Sequence, residues 1–196
     1  LPISFAENPA IWGDDYNIPE SGNGVPDLLD EIKWGMDWLI KMQEADGSVL
    51  SIVGVGHASP PSAATGQSLY GPANTSATLA AAAAFAFGAK VFGGRSATAA
   101  YGADLQVRAE KAWIWAVANP AVLFRNNDAA YGSSGLGAGQ QEVDDYGRLS
   151  LKLAAAVYLF DLTGKAAYQT FLTGNYSQSH LILWAYATPF EPGLQQ

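Results

Sequence analysis

Apolar positions recur at three- and four-residue intervals along most of this chain. Leu28, Leu29, Ile32, Met36, Leu39 and Ile40 fall on one face of a helix predicted to start near Pro26 and end near Glu44. Pro26 suits the first turn, where its missing N–H costs nothing. Asp27, Asp30 and Glu31 meet the positive end of the helix dipole. Trp34 and Trp38 lie four apart on a neighbouring face and read as core residues. A second, alanine-rich helix is predicted over about Thr75 to Phe92, stopped at Gly93-Gly94. A third spans about Ala97 to Ala118 and ends at Asn119-Pro120. A fourth covers about Val143 to Leu162 and stops at Thr163-Gly164, with shorter helices near Ala166–Leu172 and Ser179–Tyr186. No segment carries a period of two, so no strand is expected. Residues 1–24, punctuated by Pro2, Pro9, Gly13, Pro19, Gly22 and Gly24, read as loop.

The connections alternate in length. The short link at Gly93-Gly94 makes an antiparallel hairpin of the second and third helices. The long links, residues 46–72 and the glycine-rich stretch NNDAAYGSSGLGAGQQ, would gather at one end of an all-α assembly. Long loops on a rigid scaffold are where sites are usually built.

Composition narrows the partners. Of 196 residues, 49% are hydrophobic and 14% are charged, so the chain has enough apolar side chains for one domain with a sizeable core, and much of its surface must be neutral and polar. That suits hydroxyl-rich, uncharged ligands. The net charge is −8 and the ten Lys and Arg are scattered, which argues against nucleic acid and against an anionic membrane surface. The apolar run from Ala77 to Ala89 is too short to span a bilayer and is followed by Lys90, so it reads as a buried helix. With no cysteine, disulfides, thiolate metal sites and a cysteine nucleophile are excluded. The opening residues LPISFAENPAIW show no charged start followed by an apolar run, so no leader is read there.

The candidate chemistry is of two kinds. Carboxylates cluster at Asp14, Asp15 and Glu20, at Asp27, Asp30 and Glu31, and at Glu142, Asp144 and Asp145. Each cluster could be catalytic, but each sits where a turn or a helix start calls for an acid, so turn chemistry and N-terminal capping are the preferred readings. Aromatic side chains on loops could stack on the apolar faces of sugar rings. Tyr70 and Tyr131 lie on long connections and Tyr146 lies just inside a helix. Trp113, Trp115 and Trp184 read as core. Of the two histidines, His57 sits in the loop VGVGHASPP, and His180 is assigned a structural role. GSSGLGAG lacks the lysine and the preceding strand of a phosphate-binding loop. Asn74-Thr75-Ser76 and Asn175-Tyr176-Ser177 fit the N-glycosylation pattern.

The stretch NIPESGNGVPDLLDEIKWGMDWLIKMQEADGSV resembles the segment leading into an early barrel helix of glycoside hydrolase family 9. Ile18 to Gly24, Pro26, Asp27 and Leu29 to Glu31 carry the likeness, and Trp34, Leu39, Lys41 to Gln43, Asp46 and Gly47 continue it in register. TSATLAAAAAFAFGAKVF and LSLKLAAAVYLFDLTGKAAYQTFL look like later helices of the same family. The resemblance implies an (α/α) barrel of six helical hairpins, a fold more than twice as long as this chain. Residues 1–196 would then be about half of it, a partial catalytic domain lacking its N- and C-terminal portions.

It also implies a parent reaction, inverting hydrolysis of internal β-1,4-glucosidic bonds in cellulose or related β-glucans, by a secreted enzyme. Such a reaction needs two carboxyl groups roughly 6.5–9.5 Å apart. In the family the base belongs to an Asp-Ala-Gly-Asp motif upstream of the IPESG segment, and the acid is a Glu near the end of the domain. Gly13-Asp14-Asp15 and Gly102-Ala103-Asp104 do not match that motif, so no catalytic residue is assigned here. The expected contribution is cleft wall and substrate contact, through His57, Tyr70, Tyr131 and Tyr146, with His57 near a family histidine that touches sugar hydroxyls. No cofactor is required. Some members bind calcium through acids near the start of the second helix, which NTSATLAAA lacks, so no metal ligand is assigned, and calcium at Asp144 or Asp145 stays open. Expected partners are a β-glucan and either the remainder of the catalytic domain or a second copy. Two rival readings are a non-catalytic helical carbohydrate-binding or scaffold protein, and a barrel enzyme for anionic polysaccharide, such as a lyase or uronyl hydrolase, with Arg125 and Arg148 as its cations.

Overall fold

A computed structural model of the chain describes residues 1–55, 62, 65–136 and 142–179. Among the described residues six α-helices carry the fold: α1 (Pro2–Glu7), α2 (Asp27–Lys41), α3 (Thr75–Gly93), α4 (Ala99–Ala118), α5 (Asp145–Thr163) and α6 (Ala166–Asn175). The helix predicted near Ser179–Tyr186 lies almost wholly outside the described residues.

Helix α3 is the centre. Thr75, Thr78, Leu79, Phe85 and Phe92 are fully buried, and its alanines let neighbours approach closely. Helix α4 returns antiparallel beside it, so that the start of α3 meets the end of α4: Thr75 Oγ1 donates to Asn119 O at 2.6 Å. Helix α5 runs parallel to α3, with Lys90 paired to Asp161 near their C-terminal ends at 2.5 Å. Helix α6 then turns back along α5, and its Tyr168 and Phe171 rings meet Trp113 of α4 edge-on, with centroids 5.3 and 5.5 Å away. Two hairpins thus lie side by side, α3 and α5 in one layer and α4 and α6 in the other. That is the repeating unit of an (α/α) barrel, and it bears out the expected all-α class.

The helix stops are physical. Gly164 has φ +65 and donates its N–H to Phe160 O at 2.7 Å, a left-handed cap that only glycine adopts without strain. Gly94 stays right-handed at φ −72, so the α3 stop rests instead on Thr98, whose Oγ1 donates to Phe92 O at 2.6 Å.

Three sequence expectations need correction. Residues 1–24 are not all loop: α1 forms at Pro2, which opens it at a position needing no N–H, and Phe5 buries against the core under Arg95. A short antiparallel hairpin exists, β1 (Val53–Val55) with β2 (Ser68–Tyr70). At three residues each, the strands are too short to show a period of two. Trp34 and Trp38 are not core residues. They are 76% and 47% exposed, because Leu29, Ile32 and Met36 on the opposite side of α2 face α3.

Candidate functional site

The long connections do gather at one end of the helices. A β-carbon at Gly132 would meet Pro72 Cγ at 3.9 Å, and one at Gly54 would meet Leu136 Cδ2 at 3.5 Å. The loop after α4 therefore lies against the β1–β2 hairpin. Backbone bonds fix its base, with Ser51 N donating to Pro72 O at 3.1 Å and Thr75 N to Val122 O at 2.9 Å.

Tyr70 sits at the end of β2 with its side chain 56% exposed. Two residues further on, Pro72 touches the loop that carries Tyr131, so the structure brings these two predicted tyrosines to the same loop end. Tyr131 lies in a 3-10 turn, Ala129–Tyr131, capped by Asp128, whose carboxylate accepts from Ala130 N at 2.9 Å. The Arg125 guanidinium lies 4.6 Å from the centre of the Tyr131 ring. Ser133 locks the turn: its hydroxyl accepts from Asp128 N at 3.0 Å and donates to Arg125 O. This Arg125–Tyr131 stack was not visible from the sequence, since nothing in a six-residue separation across a turn signals a ring contact. Tyr146 is half-buried in the first turn of α5, next to a depression of about 550 Å³ lined by Arg125, Asp128, Glu142, Asp145 and Arg148. His57 and His180 lie outside the described residues.

Two of the acids at this end, Glu142 and Asp144, are engaged by backbone amides. Glu142 accepts from Asn74 Nδ2 at 2.7 Å, from Phe124 N at 2.9 Å and from Val143 N at 3.0 Å. It thereby ties together the starts of α3 and α5 and the loop between α4 and α5. Asp144 is the N-cap of α5, accepting from Gly147 N at 2.7 Å. Asp145 pairs with Arg148, which also donates to Val143 O at 2.7 Å. Among the described residues no group of three or more His, Asp or Glu side chains is placed to hold a metal ion. Asn74, which fits a glycosylation pattern, is buried and caps α3 through Ala77 N at 2.9 Å.

The IPESG segment is a structural clamp. Asp27, 2% exposed, accepts from Tyr16 N at 2.6 Å and from Ser21 Oγ at 2.7 Å. Asp14 accepts from Gly22 N at 2.6 Å and Gly24 N at 2.7 Å, where φ values of +88 and +87 require glycine. The Gly24 amide above all, with the Gly22 and Asn23 amides, holds the Asp14 carboxyl below its usual range against the opposing push of desolvation. Desolvation moves Asp30 the other way, helped by the nearby Glu20, Asp27 and Asp14 charges.

The sequence profile described as glycosyl hydrolase family 9 matches residues 7–190. The chain belongs to this family. Among its relatives, the cellulose 1,4-β-cellobiosidase of Acetivibrio thermocellus is 31% identical over 182 residues, 87% of this chain and 20% of that protein. Endoglucanase C of Cellulomonas fimi is 29% identical over 175 residues, 84% of this chain and 15% of that protein. A metagenome-derived family 9 endoglucanase of known structure superposes with a TM-score of 0.77 at 28% identity, covering 99% of this chain and 34% of that one. The chain thus spans about a third of that solved family 9 chain, and a smaller share of the curated relatives. The expected family and barrel architecture are confirmed.

Proposed function

We propose that residues 1–196 form part of the substrate cleft of an inverting, secreted endo-β-1,4-glucanase, supplying sugar contacts while the two reacting carboxyl groups come from other parts of the catalytic domain. The observation that carries this reading is the meeting, at one loop end, of the exposed Tyr70 and the half-buried Tyr131 with acids already engaged by backbone amides. A carboxylate already engaged by neighbouring N–H donors is fixed in place by them. Glu142, bound by three donors, and Asp144, the N-cap of α5 through Gly147 N, are thereby engaged in scaffolding.

Tyr70 and Tyr131 are the assigned sugar platforms, with Tyr146 in the first turn of α5 as a further sugar contact and His57 as the hydroxyl contact. A tyrosine ring face matches a glucose unit, which has apolar faces and no charge. The reading needs no cofactor.

The test is binding and turnover of cello-oligosaccharides by the purified chain. Tyr131→Ala and Tyr70→Ala are each expected to weaken binding roughly tenfold, about 1–2 kcal/mol of lost stacking. Reducing-sugar release should stay at the buffer control. Hydrolysis above that control would place the proton-transfer groups inside this sequence and overturn the division of labour. Unchanged binding in both variants would remove the tyrosines from the cleft.

A further inference from the structure

Asn23 and Gly24 form the one Asn-Gly pair in the sequence, and they sit inside the IPESG clamp. Such a pair carries its own reagent. The glycine amide nitrogen can attack the asparagine side-chain carbon, because no β-carbon on the glycine holds the two apart. The bond from Gly24 N to Asn23 Cγ forms, the Cγ–Nδ2 bond breaks, and the Gly24 amide proton leaves with Nδ2 as ammonia. The product is a cyclic imide. Water then opens the ring on either side, leaving an aspartyl link or an isoaspartyl one, in which the main chain runs through the side-chain carbon. Water is the only co-reactant and no electrons are exchanged.

Hydrogen bonds oppose the attack. Gly24 N, the nucleophile, donates its proton to Asp14 Oδ2 at 2.7 Å. Asn23 Oδ1 accepts from Val25 N at 2.7 Å, and Asn23 Nδ2 donates to Asp30 Oδ2 at 3.1 Å. Attack requires Gly24 N to give up its proton and carry negative charge, and the Asp14 carboxylate repels charge at that spot. Nor is Asp14 a useful base, since the Gly24 amide, with those of Gly22 and Asn23, keeps its proton affinity low. The side-chain amide of Asn23 is held at both its oxygen and its nitrogen. Crowding is not the restraint, because a β-carbon at Gly24 would meet nothing within 4 Å. All these contacts lie within residues 14–30, so they hold whatever packs on the segment from elsewhere in a longer domain. We propose that Asn23-Gly24 is a latent self-modification site, kept closed by its bonds to Asp14 and Asp30 and released when this clamp opens locally. The step is one-way. Its product sets a further carboxylate beside Asp14 and Asp30 and removes the Nδ2 donor that Asp30 holds, so a chain that has reacted does not rebuild the clamp at the start of α2.

Peptide mass mapping of the whole 196-residue chain, incubated at mildly alkaline pH, reads the loss of ammonia at Asn23 directly, with far-UV circular dichroism as the check on folding. The wild type in native buffer is expected to react at least about tenfold more slowly than in guanidinium chloride, a comparison that needs no variant. In native buffer Asp14→Ala should speed the reaction about tenfold, the weight of one charge-assisted hydrogen bond. Asp14→Asn, which keeps the side chain's size and loses its charge, should also speed it, and it stands in should the alanine variant fail to fold. Gly102→Ala strains the α3–α4 contact away from the clamp and should leave the rate within about twofold of wild type. Equal rates for native and denatured wild type overturn the proposal, as do folded Asp14 variants that react no faster than wild type. A Gly102→Ala rate as high as that of Asp14→Ala overturns it too, because release would then follow global unfolding and not the clamp.

Discussion

Asp37 shows how one side chain holds two helices in register. Its Oδ1 accepts from Tyr101 of α4 at 2.7 Å, and its Oδ2 pairs with Lys33 one turn earlier on α2 at 2.6 Å. Lys33 in turn lies 4.8 Å from the Tyr101 ring centre. Burial pushes the Asp37 carboxyl up, but the hydrogen bonds from Lys33 and Tyr101 outweigh it and leave it below its usual value. On Tyr101 the effect is opposite, and burial together with the Asp37 carboxylate pushes the phenol well up. A carboxyl depressed in the folded state stabilises the fold above its unfolded pKa, and the gain is lost as pH falls through the folded value. Asp37→Asn is therefore expected to cost about 1 kcal/mol at neutral pH, discounted because Lys33 and Asp37 are both partly exposed. The gap from wild type should narrow only as pH falls below the usual carboxylate range and through the depressed folded value, where the wild-type carboxyl also takes up its proton. Urea midpoints of both proteins across that range check it. A gap that persists in acid would mean the substitution acts through packing.

The helices themselves test how close two elements can lie. A β-carbon at Gly102 of α4 would meet Gly93 N at 2.6 Å and Ala89 O at 2.9 Å, both backbone atoms of α3 that cannot swing away. At Gly88 of α3 the obstacles are the ends of flexible side chains, Leu105 Cδ1 at 3.1 Å and Met36 Cε at 3.3 Å. Gly102→Ala should therefore destabilise by about 1–3 kcal/mol through overpacking. Gly88→Ala should cost less than half as much, since a better helix former offsets part of the strain. Thermal midpoints of the two variants decide it, and equal losses would mean that α3 and α4 can part to admit the methyl. The helix spans were legible because their periodicity is long and their stops are local: Asn119-Pro120 and Gly164 act within their own turn. The β1–β2 hairpin and α1 were not legible, because three paired residues or six helical ones owe their form to what they pack against. Trp34 and Trp38 misled for a related reason. Their spacing reports a helix face, but which face is inward depends on α3, some forty residues away in sequence.

At the scale of the molecule, the site was legible only in its parts. Tyr70 and Tyr131 could be named as loop aromatics, but their shared end follows from the Gly132–Pro72 contact, which joins segments sixty residues apart. The same end carries an electrostatic signature that separates the rival substrates. Arg148 is tied to Asp145 and Val143 O, and Arg125 lies over Tyr131. Asp128, Glu142, Asp144 and Asp145 surround them, and the chain as a whole carries a net charge of −8. A polymer of uronic acids would be repelled here, and its binding would strengthen as salt screened the repulsion. A neutral β-glucan gains nothing from the field, because stacking on tyrosine involves no net charge. Affinity for cello-oligosaccharides is therefore expected to change by less than about twofold between low and physiological ionic strength, over which the Debye length shrinks from roughly 30 to 8 Å. Titration calorimetry at the two salt levels, with an oligogalacturonate alongside, measures this. Tight oligogalacturonate binding that weakens as salt rises would assign the arginines to the substrate and move this loop end to the anionic-polysaccharide reading.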